Sequence, residues 1–137
     1  MGLVNTEITL KNVEDGAIAR AGLIKPEEIR TATVTAIADT GAMSLVITEE
    51  MRQKLGLGIV MEKTAIVANG QRVTGFMTDA VEVHWKNRLT ILPALVIPGA
   101  EKILMGAIVM EGMDLMVNPV TQEVVGAHGD KEECLVL

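Results

Sequence analysis

Polar and apolar residues alternate along much of this chain. The period of two, the β-branched residues that fill it and the Gly, Asn and Pro that interrupt it predict short strands joined by turns. The strands fall at 4–11, 30–38, 64–68, 72–85 and 89–97, with a closing pair around 115–117 and 123–125. Asn118-Pro119 begins the turn between the last two. Two helices break the pattern. Thr48 can cap Glu49-Glu50-Met51-Arg52-Gln53-Lys54-Leu55, whose acids sit at the positive end of the helix dipole and whose basic residues follow, before Gly56 stops it. A shorter helix is expected from Ala107 to Glu111, ending near Gly112, while residues 16–28, with Gly22 and Pro26, are expected as a connecting loop. The expected fold is an all-β domain with one or two short helices.

Composition narrows the field. At 137 residues and 49% hydrophobic letters, the chain has enough apolar material for one packed core and one domain. Its formal charge of −6, with no basic cluster, gives a nucleic-acid backbone little to bind. A single cysteine, Cys134, supports neither an internal disulfide nor a structural zinc site. Phe76 and Trp85 are the only aromatic residues, so base-stacking platforms are nearly excluded. His84 and His128 lie far apart with no third ligand beside either, and no metal is expected. The nine methionines, several of them between Met105 and Met113, are expected as adaptable core filling.

The start, Met1 to Leu10, alternates in polarity and carries Glu7, unlike a secretory leader, so a cytoplasmic location is expected. The longest apolar run, 91–98, contains two prolines and is far below the roughly 18 residues of a spanning helix. No membrane span is expected. Two strings match lipidation patterns, Met1-Gly2-Leu3-Val4-Asn5-Thr6 and Cys134-Leu135-Val136-Leu137. The acidic Asp130-Lys131-Glu132-Glu133 before Cys134 speaks against a prenyl anchor and for a solvated tail over 128–137.

The chemically informative string is Ala36-Ile37-Ala38-Asp39-Thr40-Gly41-Ala42, an apolar strand end running into acid, hydroxyl and glycine in one tight turn. Three further pieces follow in order. They are Leu45-Val46-Ile47 with the helix ending Lys54-Leu55-Gly56-Leu57, the turn Ala68-Asn69-Gly70-Gln71-Arg72-Val73, and Ile103-Leu104-Met105-Gly106. Together they resemble the retropepsin-like aspartic protease family, single-domain relatives of the viral proteases, and more closely the small aspartyl protease domains of bacteria. The resemblance runs from about Ile8 to Val125, and Asp114-Leu115-Met116-Val117-Asn118-Pro119 continues it. It implies one retropepsin-like acid protease barrel over 1–137, with a core at about 4–127.

Peptide hydrolysis of this kind needs two carboxylates about 3 Å apart sharing one proton, one activating water while the other protonates the carbonyl oxygen. With a single Asp-Thr-Gly in the chain, the resemblance implies a homodimer in which two copies of Asp39 meet on the two-fold axis. It implies roles for the neighbours as well. Gly41 lets the two loops approach and frees its N–H for a carboxylate, Thr40 clamps the loops through its hydroxyl, and Ala42 packs beneath. The pair would ionise as a unit, favouring acidic to mildly acidic pH. No cofactor is implied. Asn69-Gly70 reads as a two-residue hairpin turn, and by resemblance it is the flap, so Ala68, Asn69, Gly70 and Gln71 would bind an extended peptide through their backbone.

Viral members usually have an acid after Asp-Thr-Gly-Ala and an Arg after the second glycine, which brace each other. Met43 and Ala107 stand there instead, and apolar packing is the expected replacement. The groove is expected to be lined by Val, Ile, Leu and Met, suiting apolar peptides. Asp79 and Asp114 lack the hydroxyl and glycine of such a turn and are expected to be structural or exposed. The function implied is an aspartic endopeptidase, with a catalytically silent, peptide-binding or adaptor dimer of the same fold as the alternative.

Overall fold

A computed structural model describes residues 3–133. The first two residues of the myristoylation-like string, and the C-a-a-X string with Cys134, lie outside them. Strand alternation builds a closed barrel. β1 (Asn5–Asn12) pairs antiparallel with β2 (Thr31–Ala38), which pairs parallel with β7 (Ile103–Met105). β7 runs antiparallel to β3 (Leu45–Ile47), β3 parallel to β6 (Arg88–Val96), and β6 antiparallel to β5 (Arg72–Trp85). β5 returns to β1 through Thr9↔His84 to Asn12↔Val81, which closes the circuit. β4 (Ile59–Ile66) stands outside it, paired among the described strands only with β5, and β8 (Leu115–Asn118) with β9 (Glu123–Gly126) forms a separate hairpin.

Inward-facing positions at every second residue fill the barrel: Ile8 and Leu10 of β1, Val81, Val83 and Trp85 of β5, Ala94 and Val96 of β6 are all buried. Met105, Met110 and Met113 join them as flexible core filling, but Met43, Met61 and Met116 are exposed, which corrects that expectation for the methionines as a set. Where β5 and β6 slip register between Met77 and Ala80, the buried Thr78 hydroxyl accepts from Ala94 N at 3.1 Å, and Pro93, which has no N–H to offer, sits at the break.

α2 (Glu49–Leu55) is as predicted, with the Thr48 hydroxyl accepting from Met51 N at 3.1 Å and Gly56 closing it at φ 66°. α3 (Ala107–Gly112) also falls in place. The expected loop over 16–28 is a correction, because α1 (Val13–Arg20) occupies its first part and a 3-10 turn, Pro26–Glu28, its last. The barrel therefore carries three short α-helices rather than one or two. No apolar stripe announces α1, and polar contacts hold it. Asn12 caps Asp15 N at 2.9 Å while its amide donates to Leu55 O at 2.8 Å, and buried Asp15 takes three bonds from Arg30. β4 begins at Ile59 rather than 64 because pairing to β5, not alternation, sets its start.

Residues 128–133 are exposed, as a solvated tail would be, yet they are tethered. Arg88 donates to the Gly129 carbonyl, and Glu133 N donates to Asp114 at 3.0 Å.

Candidate active site

β2 delivers the Asp-Thr-Gly turn to the edge of the barrel. The last buried residue, Ala38, donates its N–H to Val4 O at 2.8 Å, and Asp39 N donates to Met105 O at 3.0 Å, so β1 and β7 hold the turn from both sides. The chain then reverses, with Ala42 N donating to Asp39 O at 3.1 Å. The Asp39 carboxylate accepts from Gly41 N at 2.9 Å, which fixes its direction. Asp39 is half-buried, Thr40 and Gly41 are exposed, and the Thr40 hydroxyl makes no hydrogen bond among the described residues. Ala42 is half-buried.

The brace of this turn differs from expectation. Met43 does not pack inward, being 67% exposed. The turn is held instead by backbone: Gly106 N, Ala107 N and Ile108 N donate to the carbonyls of Ser44, Ala42 and Met43 at 3.0, 2.9 and 3.0 Å. These donors belong to the start of α3, where N–H groups have no partner within the helix, so the Asp39 loop and the helix end satisfy each other. No side-chain signal could reveal this. Only the glycine at 106 hints at it, since a side chain there would collide with the loop.

The hairpin at Asn69-Gly70 is present with a three-residue loop rather than two. Val67 N donates to Gln71 O at 3.0 Å and Gly70 N to Val67 O at 2.8 Å, leaving Ala68, Asn69 and Gly70 as the loop. A two-residue type I′ turn needs positive φ at both central residues, but only Gly70, at 84°, adopts it. Asn69 turns its side chain to Gln71, accepting from its N–H at 2.9 Å and donating to its Oε1 at 3.1 Å. At the base of the hairpin, Val67 lines a largely apolar groove of about 420 Å³ with Val46, Ile97 and Leu104, which Glu101 and Lys102 also border. Leu104 pairs with Ile37, two residues before Asp39, so groove and acid share a strand pair. Ala68, Asn69, Gly70 and Gln71 are all exposed and do not line that groove within one chain.

This order of parts can now be set against known proteins. The sequence profile of the aspartyl protease family matches residues 26–135, taking in the Asp39 turn, the hairpin and the Gly106 turn. The chain belongs to the aspartyl protease family. Among solved structures, the EIAV protease complexed with the inhibitor HBY-793 is similar in fold, at 19% identity and a TM-score of 0.58 over 80% of this chain and 86% of that one. A retropepsin-like aspartic protease from Rickettsia conorii aligns at 17% identity and a TM-score of 0.47, over 86% and 89% of the two chains. The retroviral protease-like domain of Ddi1 from Leishmania major aligns at 14% and 0.49, over 69% and 78%. No curated protein matches the sequence. The barrel of this aspartyl protease family member is thus a retropepsin-like, all-β fold.

Asp79, Asp114 and the two histidines are engaged elsewhere. Asp79 accepts from Gly58 N at 2.8 Å. Asp114 is buried beside Arg88 and meets His128 Nδ1 at 2.8 Å. Burial works against the Asp114 charge, but the Glu133 N–H, His128 and Arg88 outweigh it and hold the carboxyl below its ordinary value. His84 meets Glu82 at 2.6 Å. Among the described residues no cluster of His, Cys, Asp and Glu could hold a metal ion, and no helix is long and apolar enough to cross a membrane.

Proposed function

We propose that the chain is an aspartic endopeptidase hydrolysing extended, largely apolar peptides, with one active site made by the Asp39 carboxylates of two identical subunits. One observation carries the reading: a carboxylate at the barrel edge, aimed by the Gly41 N–H and flanked by exposed Thr40 and Gly41, while Asp79 and Asp114 are bonded elsewhere. An isolated acid cannot act as base and acid at once, so the chemistry calls for a symmetry mate.

In such a dimer the two carboxylates share a proton. One draws a proton from water as it attacks the peptide carbonyl while the other gives its proton to the carbonyl oxygen; the first then passes its proton to the leaving amine as a hydroxyl of the tetrahedral intermediate returns one to the second. Thr40 has a free hydroxyl to clamp the facing loop, and Gly41 and Ala42 present no bulk to it. The hairpin tip, Ala68 to Gln71, offers backbone groups to an extended peptide, and its closure over the dyad would exclude water. The apolar side chains of Val46, Val67, Ile97 and Leu104 in the groove that Glu101 and Lys102 border support the reading of an apolar substrate.

A digest of a peptide library across acidic pH, run with the parent protein and Asp39→Asn, tests this. Cleavage by the parent and none by the variant, at unchanged circular dichroism, is expected. Cleavage that persists in the variant overturns the assignment, and peptide binding by both proteins without cleavage establishes the silent binding module instead.

A further inference from the structure

We propose that the cavity between α1 and the outer wall of the barrel binds a small carboxylate with an apolar body, at a site separate from the Asp39 turn. The chemistry recognised is a terminal carboxylate on an apolar stem, whether of a free acyl chain or of a peptide's last residue.

The cavity measures about 330 Å³, at the lower end of the range for small-molecule sites. Its floor is one row across three strands, because Lys11 of β1 pairs with Glu82 of β5, and Glu82 with Ile91 of β6. Lys11 and Glu82 alternate with the buried Leu10, Val81 and Val83, and so point away from the core, while Ile91 is 53% exposed. Val13, Gly16 and Ala19, spaced three apart on α1, bring one face of that helix to the cavity, and Pro26 and Ile29 complete the lining.

The occupant follows from charge. Lys11 and Arg20 both line the cavity, and among the described residues neither makes an ion pair. Glu82, the one acid of the lining, is engaged with His84, whose Nε2 lies 2.6 Å from its Oε2. Two cations without a partner, set among apolar side chains, favour an anion, and a carboxylate has two oxygens to accept charge-assisted hydrogen bonds from such donors. Val13, Ile29 and Ile91 offer apolar surface to whatever that carboxylate is attached to.

Gly16 points the same way independently. A glycine in mid-helix weakens α1, yet packing does not demand one. Beyond the helix's own backbone, a Cβ there would come near only the Arg20 Nη1, at 3.4 Å. The Arg20 guanidinium therefore folds back along α1 to lie beside Gly16. A larger side chain at this position would occupy the cavity and displace that guanidinium, so the glycine keeps the space open with the cation next to it.

The site is remote from the proposed dyad. Lys11 pairs with Thr31 at the start of β2, and Asp39 follows the other end of that strand. No residue of the cavity lines the groove beside Val67.

Amide NMR of the isotope-labelled full chain, titrated with octanoate, octylammonium, and acetyl-leucyl-leucine as its acid and as its amide, tests the proposal. Octanoate is expected to saturate, with shifts centred on residues 11–20, 29 and 82, while octylammonium and the peptide amide leave those amides unmoved. Given octanoate binding, either result for the peptide acid supports the site: binding extends it to peptide C-termini, and its absence restricts it to free acyl chains. Lys11→Met and Arg20→Met, which keep the aliphatic stems, should each weaken octanoate about tenfold. Gly16→Leu, a better helix former that fills the space, should abolish binding at unchanged circular dichroism. Equal binding of octanoate and octylammonium overturns the proposal, as does octanoate affinity that neither Met variant changes. Shifts confined to residues 46, 67, 97 and 104 also overturn it, by placing the acid in the groove beside Val67. So does the absence of saturation by both octanoate and the peptide acid.

Discussion

Gly106 lies so close to the Met43–Ser44 peptide that a Cβ built on it would fall 2.5 Å from the Ser44 carbonyl oxygen and 2.6 Å from the Met43 carbonyl carbon. Backbone, not a yielding side chain, occupies the space. Gly106→Ala must therefore push the α3 start away from the Asp39 loop and lengthen the three bonds that brace it. A loss of about 1–3 kcal/mol in urea unfolding is expected. Amide exchange at Gly106, Ala107 and Ile108 should quicken by more than the global loss explains. Exchange at these amides that follows global stability alone would show that the brace does not depend on this close approach.

At the hairpin tip, Gly70 holds φ at 84°, a conformation that costs a residue with a side chain about 1–2 kcal/mol. Space is open around it, so Gly70→Ala tests the backbone alone. Faster exchange at the Val67 amide, with little change in global unfolding, is the expected result, because the tip is exposed and β4, among the described strands, pairs only with β5. Unaltered exchange at Val67 would mean that the loop tolerates a side chain at its left-handed position.

Asp15 accepts from Arg30 N, Nε and Nη2 at 2.9, 2.8 and 2.9 Å. The Arg30 side-chain bond foremost holds its carboxyl below the ordinary value, although burial pushes the other way. A carboxyl lowered by folding stabilises the protein above its unfolded value of about 3.9, and that contribution fades as pH falls through the lower folded value. Asp15→Asn is expected to cost about 1–3 kcal/mol at neutral pH. Urea curves of parent and variant should converge as pH drops toward about 2, below the unfolded value. A gap of constant size across that range would contradict the ionic origin.

Arg88 is almost fully buried and donates to the carbonyls of Met113, Asp114 and Gly129, with Asp114 Oδ2 3.8 Å from its Nη1. Replacing it with Met keeps the volume but leaves those carbonyls without their donor and the buried Asp114 carboxylate without the positive charge beside it. The expected loss is about 3–5 kcal/mol, read by chemical unfolding. Amides of residues 127–133 should lose protection first, since Arg88 and Asp114 tether that segment. A variant as stable as the parent would show that water replaces the guanidinium.

Much of the fold was legible because burial on one side of a strand writes itself into every second residue. β5 was read with its bounds, and α2 with its cap and its stop, since Thr48 and Gly56 act within a few residues of each other. α1 was not legible. Its stability comes from Asn12 reaching Leu55 and from Asp15 reaching Arg30, partners distant in the chain, and Gly16 in its middle pointed the other way.

The sequence by itself determined the strand order of the chemistry: an apolar strand end, Asp39-Thr40-Gly41, an Asn-Gly hairpin, and a hydrophobic pair before Gly106. These are local patterns, set by side-chain type and turn conformation. Tertiary structure alone decided how the Asp39 turn is held. Its brace is made of carbonyls at 42–44 and amides at 106–108, groups that nearly every residue carries and no letter of the sequence distinguishes. It also decided that Met43 faces outward rather than into the core.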